Sequence, residues 1–223
     1  MPHKKYRLEV VQQPMRGRMC GFGEKDRRPI DPPPVVQLKL MREDGGFVPN
    51  DSIDTSNFVL HAGLWSPSYQ HERNFVVNPA AVPVPASPLH PKGPTASVLS
   101  LHSPSCTRNL MGSTSVSSHL LLNPAGELGL YFVFQDLSVR TEGEFRLKFS
   151  LVDLAPWKLR TDPCRIEAEV FSDVFTVYSA KKFPGMTDST ELSKCFARQG
   201  LKLAIREGKR YKRPVDDFYE KGQ

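Results

Sequence analysis

The sequence predicts an all-β domain, an immunoglobulin-like sandwich or barrel, with one short helix near its C-terminal end. Three observations predict it. Several segments alternate apolar and polar residues with a period of two, as strands with one buried face do. Turn-forming residues separate these segments closely, with 20 prolines in 223 residues, nearly twice the ~5% of an average chain. A helical start-and-stop pattern occurs once, and the length is enough for a sizeable core in one domain.

In chain order, Tyr6-Arg-Leu-Glu-Val10 is the first alternating segment, and Val36, Leu38 and Leu40 repeat the pattern with Gln37 and Lys39 facing the other way. Between them, "GFGEKDRRPIDPPP" reads as a loop. Pro14 and the Pro32-Pro33-Pro34 run bracket its charged part, and proline's fixed φ and missing N–H keep it out of central ladders. Phe58 to Leu64 is a further strand and Asn74 to Val77 a short one. From Pro79 to Pro94 there are six prolines in sixteen residues, and Ser-rich chain continues to Cys106. Such a composition buries too little apolar surface to offset its ordering entropy. We expect a loosely held insertion over roughly 79–107, inside one domain rather than between two.

The second half alternates more cleanly. Leu130 to Phe134 is a continuous apolar run, the mark of a fully buried strand. In Gly143 to Leu151, Phe145, Leu147, Phe149 and Leu151 face the core while Arg146 and Lys148 face outward. Ile166, Ala168 and Val170 alternate with Arg165, Glu167 and Glu169, and Val174 to Tyr178 follows a turn at Ser172-Asp173. That makes about eight strands with turns at the spacing of a sandwich or barrel. For the helix, Asp188 is the expected N-cap with Glu191 closing a capping box, Leu192, Cys195 and Phe196 share a face, and Gly200 is the stop. At about three turns it needs packing against a sheet to persist.

Composition narrows the function. Cys20, Cys106, Cys164 and Cys195 are far apart, form no C-x-x-C pair and have no clustered histidines at zinc-ligand spacing, so no metal site is expected and reduced thiols are. The N-terminus lacks the apolar run of about 7 to 15 residues that a secretory signal requires. No stretch approaches the ~20 apolar residues of a membrane span. The net charge is +6, distributed as +6 over residues 1–42, −5 over 43–180 and +5 over 181–223. Two basic ends around an acidic body fit either a surface polarised toward a polyanion or two solvated basic tails.

Enzymatic patterns fail. Gly21-x-Gly23 meets Asp26 where a dinucleotide fingerprint needs its third glycine. There is no P-loop and no G-x-S-x-G. The histidines, His3, His61, His71, His90, His102 and His119, lie mostly in predicted loops, beside no nucleophile at a recognised spacing. What stands out is cationic. Arg16, Arg18, Lys25, Arg27, Arg28 and Lys39 lie in or beside the one loop. A stiff, solvated turn would explain the prolines and glycines but not these charges. Prolines on one flank lower the entropy lost when such side chains meet a partner, and arginine's planar fork suits phosphate or a guanine edge. Asp26 within the cluster either orients Arg27 or Arg28 or accepts from a cytosine amine; both roles stay open.

Four stretches, "QQPMRGRMCGFGEKDRRPIDPPP", "NLMGSTSVSS", "GLYFVFQDLSVRTEGEFRLKFSLVDL" and "KKFPGMTDSTELSKCFARQGLKL", together and in that order resemble the velvet domain of fungal regulatory proteins. The resemblance covers Tyr6 to Leu203, interrupted by the proline-rich stretch, which is similar to a variable insertion that some members carry there. It implies a Rel-like, immunoglobulin-type β-sandwich over 6–203, followed by a basic tail, 204–223. It also implies sequence-specific binding of double-stranded DNA by a nuclear transcription regulator, with a possible cytoplasmic pool. The processes implied are fungal development, sporulation and secondary metabolism, and the assembly is a homodimer or a heterodimer with other velvet proteins. No catalytic residue, cofactor, metal, membrane or small-molecule substrate is implied. The family's DNA-contacting loop corresponds to Arg16, Arg18, Lys25, Arg27 and Arg28; Lys39 and the pair Lys181 and Lys182 are added from charge alone. With the domain filling nearly the whole chain, any effect on transcription is expected to depend on a partner or on occupancy. The run "REGKRYKRP", Arg206 to Pro214, reads as a nuclear import signal, a supplementary DNA contact or a solvated tail. Trp65 and Trp157 read as packing residues. The rival to direct DNA binding is a protein-interaction module that docks another velvet protein, which supplies most of the DNA contact.

Overall fold

The computed structural model describes residues 5–23, 27–42, 45–49, 53–78, 106–155 and 165–207. Lys25, Asp26, Trp157, Cys164, most of the expected insertion and the tail from 208 onward lie outside the described residues.

Two antiparallel-dominated sheets face each other. One contains β1 (Lys5–Gln12), β3 (Val35–Met41), β10 (Leu128–Val133) and β9 (His119–Leu122), in the order β1-β3-β10-β9. The other runs β2 (Arg16–Arg18), β14 (Phe175–Tyr178), β12 (Gly143–Asp153), β4 (Phe58–Trp65), β8 (Ser115–Ser117), with β13 (Ile166–Phe171) pairing the second half of β12. Two small ribbons complete the set: β5 (Phe75–Val77) with β6 (Cys106–Arg108), and β7 (Leu110–Met111) with β11 (Ser138–Val139).

The period-two residues meet between the sheets. Leu8, Val36, Leu38, Leu40, Leu130 and Phe132 from one face pack with Leu60, Leu64, Leu147, Phe149, Leu151 and Phe175 from the other in one buried cluster. Phe134 and Phe149 touch with ring centroids 5.1 Å apart. Burying each such side chain contributes about 1.5–3 kcal/mol, which makes register a firm consequence of pattern: a one-residue slip of β12 would turn Arg146 and Lys148 inward. As expected, both face outward. Arg146 lies over the Tyr69 ring at 4.4 Å and Lys148 over Trp65 at 5.1 Å; Trp65 packs edge-on against Phe171, a packing role.

The continuous apolar run of β10 has a structural cause. Its Leu130 and Phe132 enter the inter-sheet core, while Tyr131 and Val133 point the other way, under helix α1 (Glu191–Arg198). Phe196 of α1 is fully buried there with Val35 and Leu121, and Leu192, Leu201 and Leu203 pack around it. The helix is two turns rather than three, and its cap is Thr190, not Asp188: the Thr190 hydroxyl accepts from Ser193 N at 3.1 Å. The shift follows from a tertiary bond, since that hydroxyl also donates to Gln12 Oε1 at 2.5 Å, which an Asp188 cap two residues earlier would forgo. Gly200 ends the element at φ 100°.

The expectation of about eight strands falls short, because the described residues contain fourteen. The additional strands β6, β7, β8, β9 and β11 are two to four residues long, too short for a period to register. Residues 106 and 107, assigned to the loose insertion, belong to β6. The loop expected between the first two strands also contains one, β2.

Candidate functional site

Strand β2 lies against β14, with buried Gly17 packed beside Val177. The two strands run parallel, with Thr176 opposite Arg16 and Tyr178 opposite Arg18. On the return path Asp31 pairs with Arg16, giving Arg16 N to Asp31 O at 2.9 Å and Asp31 N to Arg16 O at 2.8 Å. Residues 19–23 and 27–30 are therefore the two stems of a projection with a paired root, and Ile30, 2% exposed, plugs that root into the core.

Both stems of the projection bond to one further segment, residues 136–140. Cys20 N donates to Val139 O at 3.0 Å, Gly21 N to Arg140 O at 3.0 Å, and Ile30 N to Leu137 O at 2.7 Å. Arg140 returns the contact: its Nη1 donates to Gly21 O and its Nε to Arg108 O, each at 2.8 Å. Arg27 reaches the same segment, with Nη2 donating to Asp136 O at 3.2 Å and standing 3.6 Å from the Asp136 carboxylate. Asp136 in turn accepts from Ser113 N at 2.9 Å.

The predicted cations separate into two groups. Arg16 and Arg18 are half-buried on β2, Arg27 and Arg28 are exposed on the descending stem, and Lys181 and Lys182 stand exposed in the turn that follows β14. Because Met19 N bonds Tyr178 O at 2.8 Å, that turn begins beside the upper end of β2. Fold topology thus brings sequence-distant Lys181 and Lys182 to the projection. Lys39 belongs elsewhere: it lies on the outer face of the other sheet, bonded to Glu9 at 2.8 Å. That bond holds the Glu9 carboxyl below the usual carboxylate range, with the lysine's charge adding to it. Lys39 is charge-compensated where it stands.

The buried anchor is Asp31, 1% exposed. Its Oδ2 accepts from Thr187 N and Oγ1 at 2.5 and 2.6 Å, and its Oδ1 pairs with Arg206 Nη1 at 2.9 Å. An isolated buried carboxylate would be costly, and three donors with one full positive charge satisfy it. Reading the sequence missed Asp31, Asp136 and Arg140 as parts of this region. Only proximity to the loop marks Asp31, and the one signal for Asp136 is a carboxylate placed between two apolar runs, "YFVFQDLSV".

Among the described residues no three His, Cys, Asp or Glu side chains gather as metal ligands, and no helix is long and apolar enough to cross a membrane. What the region offers is a braced projection carrying guanidinium and ammonium groups.

Comparison with known proteins adds a family match and three relatives. A sequence model described as "Velvet factor" matches residues 6–210. The chain is 36% identical to "Velvet complex subunit RYP3" of Ajellomyces capsulatus, covering 91% of this chain and 78% of that one, and 32% identical to "Velvet complex subunit 2" of Cochliobolus heterostrophus, covering 92% and 86%. It is also 37% identical to "Sexual development regulator umv3" of Mycosarcoma maydis, over 94% of this chain and 47% of the relative.

Proposed function

The chain belongs to the velvet family, and on that footing we propose that this developmental regulator is a nuclear, non-enzymatic protein that binds double-stranded DNA in a sequence-specific way through the projection at residues 16–28. It acts on transcription in development, sporulation and secondary metabolism, as a homodimer or with another velvet protein. One observation carries the reading: Arg27 and Arg28 stand on a projection whose stems are hydrogen-bonded to the sandwich, Arg16 and Arg18 lie on β2 at its root, and Lys181 and Lys182 follow the strand that pairs β2. Cations on a braced element lose little conformational freedom on binding, so more of their interaction with phosphate appears as affinity. Phosphate contacts set position, and one or two arginines of the projection read base edges.

Titration of labelled duplexes over a range of salt tests this. Each lost phosphate contact lowers the log–log salt slope by about 0.9; Arg27→Ala with Arg28→Ala is expected to weaken binding and flatten that slope. A folded double variant with wild-type affinity and slope would falsify the assignment of the loop.

A second reading has its own support, the words "complex subunit" in the names of two relatives. There the sandwich chiefly docks a sister velvet protein that makes most of the DNA contact. A chain that ignores duplex until a second velvet protein is added, as seen by mass in solution and by duplex titration, favours that reading.

A further inference from the structure

We propose that Arg140 is the positioning residue of the projection: it bridges two backbone carbonyls across the root and presets the loop for binding without touching nucleic acid. The inference rests on the DNA-binding reading for its consequence, but its geometry stands apart from it. Arg140 donates from Nε to Arg108 O and from Nη1 to Gly21 O, both at 2.8 Å, so one planar fork ties the ribbon strand β6 to the ascending stem. Its own backbone closes the link, with Gly21 N donating to Arg140 O and Arg140 N to Asn109 O, both at 3.0 Å. Asn109, 3% exposed, accepts at Oδ1 from Thr141 N and Oγ1 at 3.2 and 3.1 Å. The turn 109–113 is held in the same way from the other side by Asp136.

The segment 136–140 is therefore a splint. On one side it carries the descending stem through Ile30 and Arg27, and in the middle the ascending stem through Cys20 and Gly21. On the other side it is fixed by β7 and Asn109. Only a guanidinium spans both carbonyls. A lysine at 140 would keep the charge and has three donors, but all radiate from one nitrogen on a flexible stem, so it cannot reproduce the two separate donor nitrogens, Nε and Nη1, that the fork aims at the two carbonyls. This is what separates positioning from contact. A cation that touches phosphate is replaceable by another cation and leaves its mark on the salt slope; a bridging arginine is not replaceable and leaves the slope alone.

The test compares wild type, Arg140→Lys and Arg140→Ala, each first checked for cooperative thermal unfolding, in two arms. In the first arm, amide hydrogen exchange without DNA is expected to show the Cys20, Gly21 and Ile30 amides losing protection in both variants while the β12 amides keep theirs. In the second, both variants bind duplex more weakly, by roughly tenfold, the scale of ordering one or two side chains on association, with the salt slope of wild type. Unchanged exchange at Cys20, Gly21 and Ile30 overturns the inference whatever the duplex does. So does a slope lowered by about 0.9 in Arg140→Ala and restored in Arg140→Lys, because that pattern makes Arg140 a phosphate contact. A wild-type chain that binds no duplex removes the DNA reading instead, and the exchange arm then decides the splint by itself.

Discussion

Lys39 and Asp31 show how little a residue's charge says before its neighbours are known. Lys39 carries the same charge as the loop cations but lies on the outer face of the other sheet, bonded to Glu9 at 2.8 Å, a closer pair than Arg27 makes with the Asp136 carboxylate at 3.6 Å. If it contributes to anion binding at all, Glu9→Gln should strengthen low-salt binding slightly, by removing the competing carboxylate; Lys39→Ala should matter far less than Arg27→Ala in the same titration. Exposed pairs of this kind contribute about 0–1 kcal/mol, so neither change should move the thermal midpoint by much. Asp31 is the opposite case. Breaking a buried ion pair on one side costs about 3–5 kcal/mol. Arg206, with 32% of its side chain exposed, regains water when unpaired, and Asp31→Asn should therefore cost roughly 2 kcal/mol, measured by denaturant unfolding. An unaltered midpoint would show that Thr187 and Arg206 do not depend on the carboxylate.

Among the elements, the turn at Gly112 and the helix α1 are the most exposed to single changes. Gly112 sits at φ 103°, and a Cβ there would lie 2.4 Å from the carbonyl oxygen of Asp136. Gly112→Ala combines a disfavoured backbone with a backbone clash. It should displace Asp136 from Ser113 and Arg27, weakening duplex binding although no cation is lost; an alanine variant with wild-type binding would show that the splint tolerates movement at this end. Helix α1, two turns long, cannot hold itself together in water. Its stability comes from Phe196 under the sheet and from the cap that Thr190 shares with Gln12. Phe196→Ala should cost about 3–5 kcal/mol and release the amides of 191–199 to exchange. Gln199 would leave with them. Its side-chain amide now accepts from Leu122 N and donates to Leu122 O, both at 2.8 Å, covering part of the free edge of β9.

At the scale of the whole molecule, the charge pattern becomes geometry. Cations from the two basic ends of the sequence, +6 over 1–42 and +5 over 181–223, meet in part: Arg206 is bonded to Asp31 at the root of the projection, and Lys181 and Lys182 follow the strand that pairs β2. Lys209, Arg210, Lys212 and Arg213 come next in sequence after this anchor. Removing residues 208–223 should accordingly lower the salt slope of duplex binding, as a supplementary contact would; an unchanged slope leaves import or solvation as the role of that run. A two-fold assembly would present two projections to two half-sites, and the expected mass in solution is that of a dimer, alone or with a second velvet protein.

The main strands were legible in advance because period-two alternation is a local consequence of one buried face: Phe145, Leu147, Phe149 and Leu151 announce their side of β12 without reference to any partner. The cations of the loop were legible for the same reason, being contiguous. Short strands such as β2 and β7 were not, since a three-residue pairing is decided by what lies alongside. Nor were the cap at Thr190, the compensation of Lys39 by Glu9, the buried Asp31 or the bridge made by Arg140. Each joins groups separated widely in the chain, so its free energy depends on a distance that exists only after the sheets have packed.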